Sequence, residues 1–200
     1  MRKALIVIFL TAIEMFVTIP LSGQYDQDED ELPGRFFISP DLGLVFGTIT
    51  RIEVSPSVGY HITPAIIAGI GGRYEYYREK SYYTQNQTIN TNIYGFRVFS
   101  RLILFRNLSD FFPIHIPLSI FGHAEYEFLN LDPLYFPTPN ADPTQRYWLD
   151  SFLAGGGISQ RTSKRTYFNI MVLWDLTNTS GSPYVNPILK FGIQFYLFPD

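Results

Sequence analysis

The stretch ILKFGIQFYLFPD, residues 188–200, alternates between two kinds of side chain. Lys190, Gly192 and Gln194 fall on one parity. The other parity holds only bulky apolar residues: Leu189, Phe191, Ile193, Phe195 and Leu197. Because successive side chains of a strand point to opposite faces, the pattern predicts a strand with one apolar and one polar face. A half-buried strand of a soluble sheet gives this pattern, and so does a strand between lipid and a polar lumen.

Composition limits the classes of protein that the whole chain can belong to. Its 200 residues suit one domain, with 46% hydrophobic and 16% charged residues. The aromatic content of 17% fits strands and membrane-interface belts. The absence of cysteine excludes disulfides, cysteine-zinc sites and lipid attachment through an amino-terminal cysteine. A net charge of −3 without a basic excess argues against a nucleic-acid partner.

The first residues have the layout of a secretory signal. Arg2 and Lys3 precede an apolar run at 4–21, and small residues come before position 24. This layout predicts a signal peptide over residues 1–23. Glu14 interrupts the apolar run, and a retained membrane anchor is the alternative.

An acidic segment follows the predicted signal peptide. The stretch DQDEDELPG at 26–34 carries five acids and ends in Pro and Gly, which is typical of a solvated linker. We therefore predict a flexible acidic leader over residues 24–35. The remaining domain is expected over residues 36–198.

Eight segments of alternating polarity, each of about ten residues, follow the leader. No apolar run after residue 35 reaches the length of a membrane-spanning helix. Short links and longer polar loops alternate between the segments. The pattern predicts an all-β fold, an eight-stranded antiparallel up-and-down barrel. The segments cover residues 36–46, 50–62, 65–77, 90–105, 116–129, 147–160, 166–176 and 188–200.

The polar parity of these segments carries full charges, such as Arg73 with Glu75 and Glu125 with Glu127. In a soluble lipocalin-like barrel the charged face meets water and the apolar interior binds a ligand. In an outer-membrane barrel the same charges line the lumen and the apolar face meets lipid. Parity alone leaves both arrangements open.

Aromatic residues near the segment ends favour the lipid-facing arrangement. Amphipathic rings collect where hydrocarbon meets headgroups, and a soluble barrel has no special need for two such girdles. One girdle adjoins the long loops and includes Tyr74, Tyr76, Tyr94, Tyr126, Phe128, Trp148 and Trp174. The other lies at the opposite ends and includes Phe36, Tyr60 and Phe195.

The stretch KFGIQFYL at 190–197 is similar to the carboxy-terminal recognition signal of small eight-stranded outer-membrane β-barrel proteins of Gram-negative bacteria. The resemblance implies a transmembrane barrel in the outer membrane, surrounded by lipid and inserted by the barrel-insertion machinery. Family chains usually end on an aromatic residue, whereas two residues follow Phe198 here. The residues that match the signal are Lys190, Gly192, Phe195 and Leu197.

If the polar parity faces inward, seven acids and five bases line the lumen. The interior of an eight-stranded barrel is just wide enough for side chains to fill. We therefore expect a salt-bridged plug instead of a conducting channel. The twelve residues are Asp41, Arg51, Glu53, Arg73, Glu75, Arg97, Arg101, Glu125, Glu127, Asp150, Asp175 and Lys190.

No catalytic, cofactor-binding or metal site is predicted. His123, near Glu125, is the one histidine placed to act as a general base, and no serine motif accompanies it. The spacing of Asp132, Asp142 and Asp150 matches no metal-ligand loop.

The resulting hypothesis is a non-enzymatic outer-membrane barrel with a filled lumen. It would serve envelope integrity, or surface interaction through loops at 78–89, 130–146 and 177–186, with an unknown ligand. One alternative is a secreted soluble lipocalin-like barrel that binds an apolar ligand. A second alternative is an enzyme that modifies lipid at the barrel rim.

Overall fold

A computed structural model describes residues 34–45, 49–80, 88–108, 118–137, 142, 144–177, 179 and 181–197. The predicted signal peptide and residues 24–33 of the predicted leader lie outside these ranges. The domain boundaries at 23 and 35 therefore stay predictions. Within the described ranges, no helix has the length and apolar character needed to cross a membrane.

Eight antiparallel strands form a closed barrel in which each strand pairs with the next and β1 pairs with β8. This confirms the predicted eight-stranded up-and-down antiparallel topology. The strands are β1 (Phe36–Val45), β2 (Ile49–His61), β3 (Ile66–Lys80), β4 (Thr88–Phe105), β5 (Leu118–Leu131), β6 (Tyr147–Ser163), β7 (Thr166–Asp175) and β8 (Ile188–Leu197).

The observed bounds differ from the predicted segments by a few residues at the ends. The largest differences are β3, which continues to Lys80, and β6, which continues to Ser163. β3 runs on because its backbone pairing with β4 extends from Ile66 opposite Leu102 to Lys80 opposite Thr88. Side-chain parity fades beyond residue 77, whereas backbone pairing does not depend on it.

The two ends of the barrel differ in their connections. The short-turn end has the connections 62–65, 106–117 and 164–165, together with the start of β1 and the end of β8. The long-loop end has the connections 46–48, 81–87, 132–146 and 176–187.

Parity in β8 separates a buried face from an exposed one. Lys190 is 1% exposed and Gln194 3%, whereas Ile193 is 38% and Phe195 39% exposed. The polar parity of the opening stretch faces the lumen, and its apolar parity faces outward. Strand β8 closes the barrel by pairing with β1 on one side and β7 on the other.

Apolar side chains outside the central part of the lumen fill three clusters. At the short-turn end Phe37, Ile67, Phe99 and Tyr196 pack together. At the long-loop end a second cluster contains Ile93, Leu129, Leu131, Phe136 and Leu149. The third cluster, along β5, β6 and β7, contains Phe121, Leu153, Met171 and Leu173. The charged residues lie between the two end clusters.

Inward glycines make room for the lumen aromatics. A Cβ atom at Gly59 would lie 2.1 Å from Cζ of Phe37, and one at Gly69 would lie 2.3 Å from Cζ of Phe99. In the glycine run at 155–157, a Cβ atom on Gly157 would meet Phe121 at 2.8 Å. These glycines permit close packing inside the barrel.

The packing predicts that only one of two alanine substitutions three residues apart in β3 is destabilising. Gly69→Ala forces a methyl group against Phe99 and to 2.6 Å from the Val58 carbonyl oxygen. We expect a loss of about 1 to 3 kcal/mol in the free energy of unfolding, measured by urea titration in lipid vesicles. Gly72→Ala is the control, because its Cβ would have nothing within 4 Å. Equal stability of the two variants would contradict the packing account.

Candidate functional site

The candidate site is the charged layer, defined here as the ionic side chains that meet in the middle of the lumen. Inward positions two residues apart on one strand bring pairs of charges together, as in Glu53 after Arg51 and Glu127 after Glu125. Its members are Asp41 of β1, Arg51 and Glu53 of β2, Arg73 and Glu75 of β3, Arg97 of β4, Glu125 and Glu127 of β5, and Lys190 of β8.

Arg73 is the centre of the half of this layer nearer the long loops. Its Nη1 donates to Oε2 of Glu127 at 2.7 Å, and its Nη2 lies 3.3 Å from Oε2 of Glu53. Nη2 also donates to Glu75. Arg51 also donates two hydrogen bonds to the Glu75 carboxylate, from Nε to Oε1 at 2.7 Å and from Nη2 to Oε2 at 3.1 Å. Bidentate pairs of this kind fix geometry as well as charge.

Arg97 and Lys190 neutralise the other half of the layer. Arg97 donates to Asp41 of β1 and, through Nη1, to Oε2 of Glu125 at 3.1 Å. Lys190 donates to Glu125 and, at 3.1 Å, to Oε1 of Glu127. These contacts cross the lumen, because β8 and β5 are not neighbours in the sheet.

His123 and Arg101 lie between the charged layer and the short-turn end. Nε2 of His123 is 3.2 Å from Oε2 of Glu125, and its ring stacks on Phe99 with centroids 5.5 Å apart. The guanidinium of Arg101 lies 4.1 Å from the ring centroid of Phe121. Both residues are buried inside the barrel. His123 is therefore not at the rim, where the lipid-enzyme alternative would need it.

Asp150 is not in the lumen, contrary to the prediction. It is exposed on the outer face of β6 with Trp148 and Phe152, and its Oδ2 accepts a hydrogen bond from the Tyr126 hydroxyl at 2.5 Å. The prediction failed because inward residues of β6 have odd numbers, as buried Leu149 shows. The glycines of this strand obscured that parity.

Asp175 is buried as predicted, but it does not join the ion pairs described for the charged layer. Its Oδ2 accepts a hydrogen bond from Ser182 Oγ at 2.7 Å, and its Oδ1 accepts one from the Thr177 amide at 3.0 Å. Its own amide donates to Oδ1 of Asn186 at 2.7 Å. Asp175 thus anchors the connection between β7 and β8.

That connection reaches into the mouth of the barrel, which the sequence did not reveal. The Tyr184 hydroxyl donates to Glu127 and contacts Arg73, whose guanidinium lies 5.0 Å from the Tyr184 ring centroid. Nη1 of Arg51 donates to the Pro183 carbonyl at 2.8 Å. We call this inserted segment, residues 181–187, the mouth loop. A loop tyrosine carries no periodic signal, so only the structure identifies it.

The connection between β5 and β6 covers another part of the mouth. Phe136 is buried against Leu129 and Leu131, and Tyr77 contacts its ring edge at a centroid distance of 5.4 Å. The Tyr147 hydroxyl donates to the Phe136 carbonyl at 2.6 Å. Parts of two long loops therefore pack on the lumen side chains.

The aspartates whose spacing matches no metal-ligand loop make separate local contacts. Asp132 accepts the Leu134 amide at 3.0 Å, and Asp142 accepts the amide and hydroxyl of Thr144. These hydrogen bonds lower the pKa of Asp142. In the part of the chain that the structure describes, no group of three His, Cys, Asp or Glu residues could hold a metal ion.

The predicted insertion signal occupies both faces of β8. Lys190 and Gly192 are buried in the lumen, where Gly192 leaves space for the Asp41 carboxylate. Phe195 is exposed on the outer face and Leu197 is half-buried. Recognition of this strand by insertion machinery stays a prediction.

Comparison with known proteins finds similarity among solved structures. No protein-family model matches the chain, and no curated protein matches it. A solved structure titled "De novo design of transmembrane beta-barrels" is similar at a TM-score of 0.45 and 15% identity, over 82% of this chain and 97% of that chain.

Removal of one lumen cation should destabilise the barrel strongly. Arg97→Met leaves Asp41 and Glu125 buried without their shared guanidinium. We expect a loss of about 3 to 5 kcal/mol in the free energy of unfolding, measured by urea titration in vesicles. Arg78→Met at an exposed position of β3 is the control and should change stability by less than about 0.5 kcal/mol. If the two variants unfold alike, the lumen charges do not hold the strands together.

Loss of the Tyr184 hydroxyl should release the mouth loop. Tyr184→Phe removes the donor to Glu127 while it keeps the ring. Hydrogen exchange of the residue 184–186 amides should accelerate about five- to thirtyfold, which corresponds to about 1 to 2 kcal/mol. Val185→Ala is the matched control, because Val185 is 79% exposed. Unchanged exchange in Tyr184→Phe would show that the hydroxyl does not anchor the loop.

Proposed function

We propose that this protein is a non-enzymatic outer-membrane β-barrel of a Gram-negative bacterium. Its lumen is filled by side chains, and it serves envelope integrity or surface interaction through its long loops. The observation that carries the proposal is the distribution of polarity across the barrel wall. Charges are buried in the lumen, and large apolar side chains are exposed on the outside.

The outer face has the character of a surface that contacts hydrocarbon. Ile70 is 65% exposed, and Val54 and Val98 are exposed on neighbouring strands. A contiguous apolar surface of this extent is uncommon on a soluble monomer. The aromatic residues Trp148 and Trp174 are exposed near the long loops, and Phe36 and Phe195 near the short turns. Such belts are typical of barrel strands at the two membrane interfaces.

The soluble alternative does not fit this arrangement. A lipocalin-like barrel holds its apolar ligand in an apolar interior. Here Arg73, Arg97 and Lys190 are almost completely buried in the lumen. A filled interior with paired charges also supports a structural barrel over a channel, because an aqueous path normally needs a wider barrel.

The long loops are the proposed contact surface for partners. Leu134 in the β5–β6 connection is 72% exposed, and Val185 in the mouth loop is 79% exposed. Exposed apolar residues on anchored loops are candidates for contact with another molecule. The predicted loop region 78–89 lies mostly outside the described residues.

Outer-membrane placement and insertion by the barrel-insertion machinery are parts of the same proposal. They are supported by the secretory layout of residues 1–23 and by the match of β8 to the family's signal. Gel migration of the mature protein from a membrane fraction, with and without boiling in detergent, tests the placement. A boiling-dependent shift is expected from a detergent-resistant barrel. A soluble protein without a shift would contradict the proposal.

A charge on the outer face tests the lipid assignment directly. Val172→Arg places a cation on the outward parity of β7, where Val172 pairs with Gly156 and Leu189. We expect a loss of about 2 to 4 kcal/mol in the stability of the membrane-inserted barrel. Val185→Arg, the same change in the exposed mouth loop, should have little effect. If Val172→Arg assembles in membranes with wild-type stability, the lipid-facing assignment of β7 is wrong.

A further inference from the structure

Cations collect at the rim of the short-turn end. Four of them are exposed and Arg161 is partly buried, with its guanidinium turned toward the Ser163 and Lys164 carbonyls at 3.4 and 3.3 Å. None belongs to the charged layer of the lumen. We call this set the cationic rim: Arg35, Arg106, Arg161, Lys164 and Arg165.

The described residues of this end contain no Asp or Glu. Seven acids of the adjoining segments lie outside the described ranges: Asp110, Asp200 and the five acids of the predicted leader, Asp26, Asp28, Glu29, Asp30 and Glu31. The long-loop end carries charges of both signs, because Asp132, Asp142 and Asp150 are found there together with Arg78 and Arg146. Among the described residues, the short-turn end is therefore purely cationic, whereas the long-loop end is mixed.

The rim cations are spread around the circumference of the barrel. Arg35 precedes β1 and Arg106 follows β4, while the other three belong to the end of β6 and the β6–β7 turn. A single compact anion could not reach all three places. A layer of many small anions around the barrel could.

The depth of the rim matches the headgroup region of a bilayer. Arg35 adjoins Phe36 and Arg106 adjoins Phe105, and both rings are exposed on the outer face. Exposed aromatic residues at strand ends mark the boundary between hydrocarbon and headgroups. Cations one residue beyond that boundary lie at the level of lipid phosphates.

We propose that the cationic rim binds the anionic phospholipid headgroups of the leaflet at the short-turn end. This inference rests on the proposed membrane location and adds a lipid class to it. Basic side chains near an anionic surface are attracted within about a Debye length. Lipid charge would then help to hold the barrel at a defined depth.

Tryptophan quenching can measure lipid preference at each end separately. The two tryptophans of the chain, Trp148 and Trp174, both lie at the long-loop end. A variant with both replaced by Phe and with Phe36→Trp carries its reporter at the cationic rim. Each protein is folded into phosphatidylcholine vesicles that contain the same minor fraction of dibrominated phosphatidylglycerol or dibrominated phosphatidylcholine.

The rim reporter should be quenched more strongly by the anionic lipid. The expected enrichment of phosphatidylglycerol over phosphatidylcholine is about two- to fivefold at low salt. It should fall toward equality in about 0.5 M NaCl, where the Debye length is about 4 Å. The natural tryptophans should show a smaller preference.

Charge removal supplies the matched variants. In the rim-reporter chain, Arg161→Gln, Lys164→Gln and Arg165→Gln together should reduce the enrichment, whereas Arg78→Gln at the long-loop end should preserve it. Because the predicted leader carries five acids, the measurement is repeated with those acids changed to Asn and Gln.

Two failures can be told apart. If the chain shows no boiling-dependent shift in vesicles of either lipid, the proposed function fails. If it folds in both and the rim reporter shows no preference for phosphatidylglycerol, with either leader, the cationic rim does not bind anionic lipid. Equal enrichment in the triple Gln variant also overturns the inference.

Discussion

Lys190 crosses the lumen from β8 and donates to Glu125 and Glu127 of β5. A buried charge without a partner costs several kcal/mol, so this contact constrains the alignment of strands that do not pair with each other. A slip of one residue would turn every side chain of a strand to the opposite face. Lys190 would then face the apolar exterior. Strand register, lumen filling and the apolar outer surface all depend on this constraint.

The constraint also explains the charge balance of the interior. Sequence parity counted seven acids and five bases, but Asp150 lies outside and Asp175 holds the mouth loop. The negative charges of the remaining five acids equal the positive charges of the five bases. The guanidinium of Arg101 lies over the Phe121 ring, so a cation–π contact supplements the ion pairs of the other four bases. This balanced set of ten residues needs no counter-ion from outside to satisfy its charges.

Alternation predicted the strands and most inward residues because strand geometry has a period of two. It did not predict that Phe37, Phe99 and Phe121 face inward, since a polarity rule assigns aromatic residues to the lipid side. Those rings fit because inward glycines on neighbouring strands leave space for them. The role of Tyr184 was equally hidden, because a loop residue has no periodic neighbours. Asp150 was misplaced where consecutive glycines removed the parity signal.

Side chains that pack at one end of the lumen and cover part of the other limit what the barrel can do. Phe37, Phe99 and Tyr196 pack at one end, and Tyr184 and Phe136 cover part of the other. The residues that cover the mouth belong to the same loops that expose Leu134 and Val185. Binding normally costs entropy when a loop becomes ordered. Loops already tied to the lumen through Glu127 and Asp175 have met part of that cost on folding. The charged layer therefore supports a surface contact of Val185 indirectly, because the Tyr184 hydroxyl donates to Glu127 and holds the mouth loop in place.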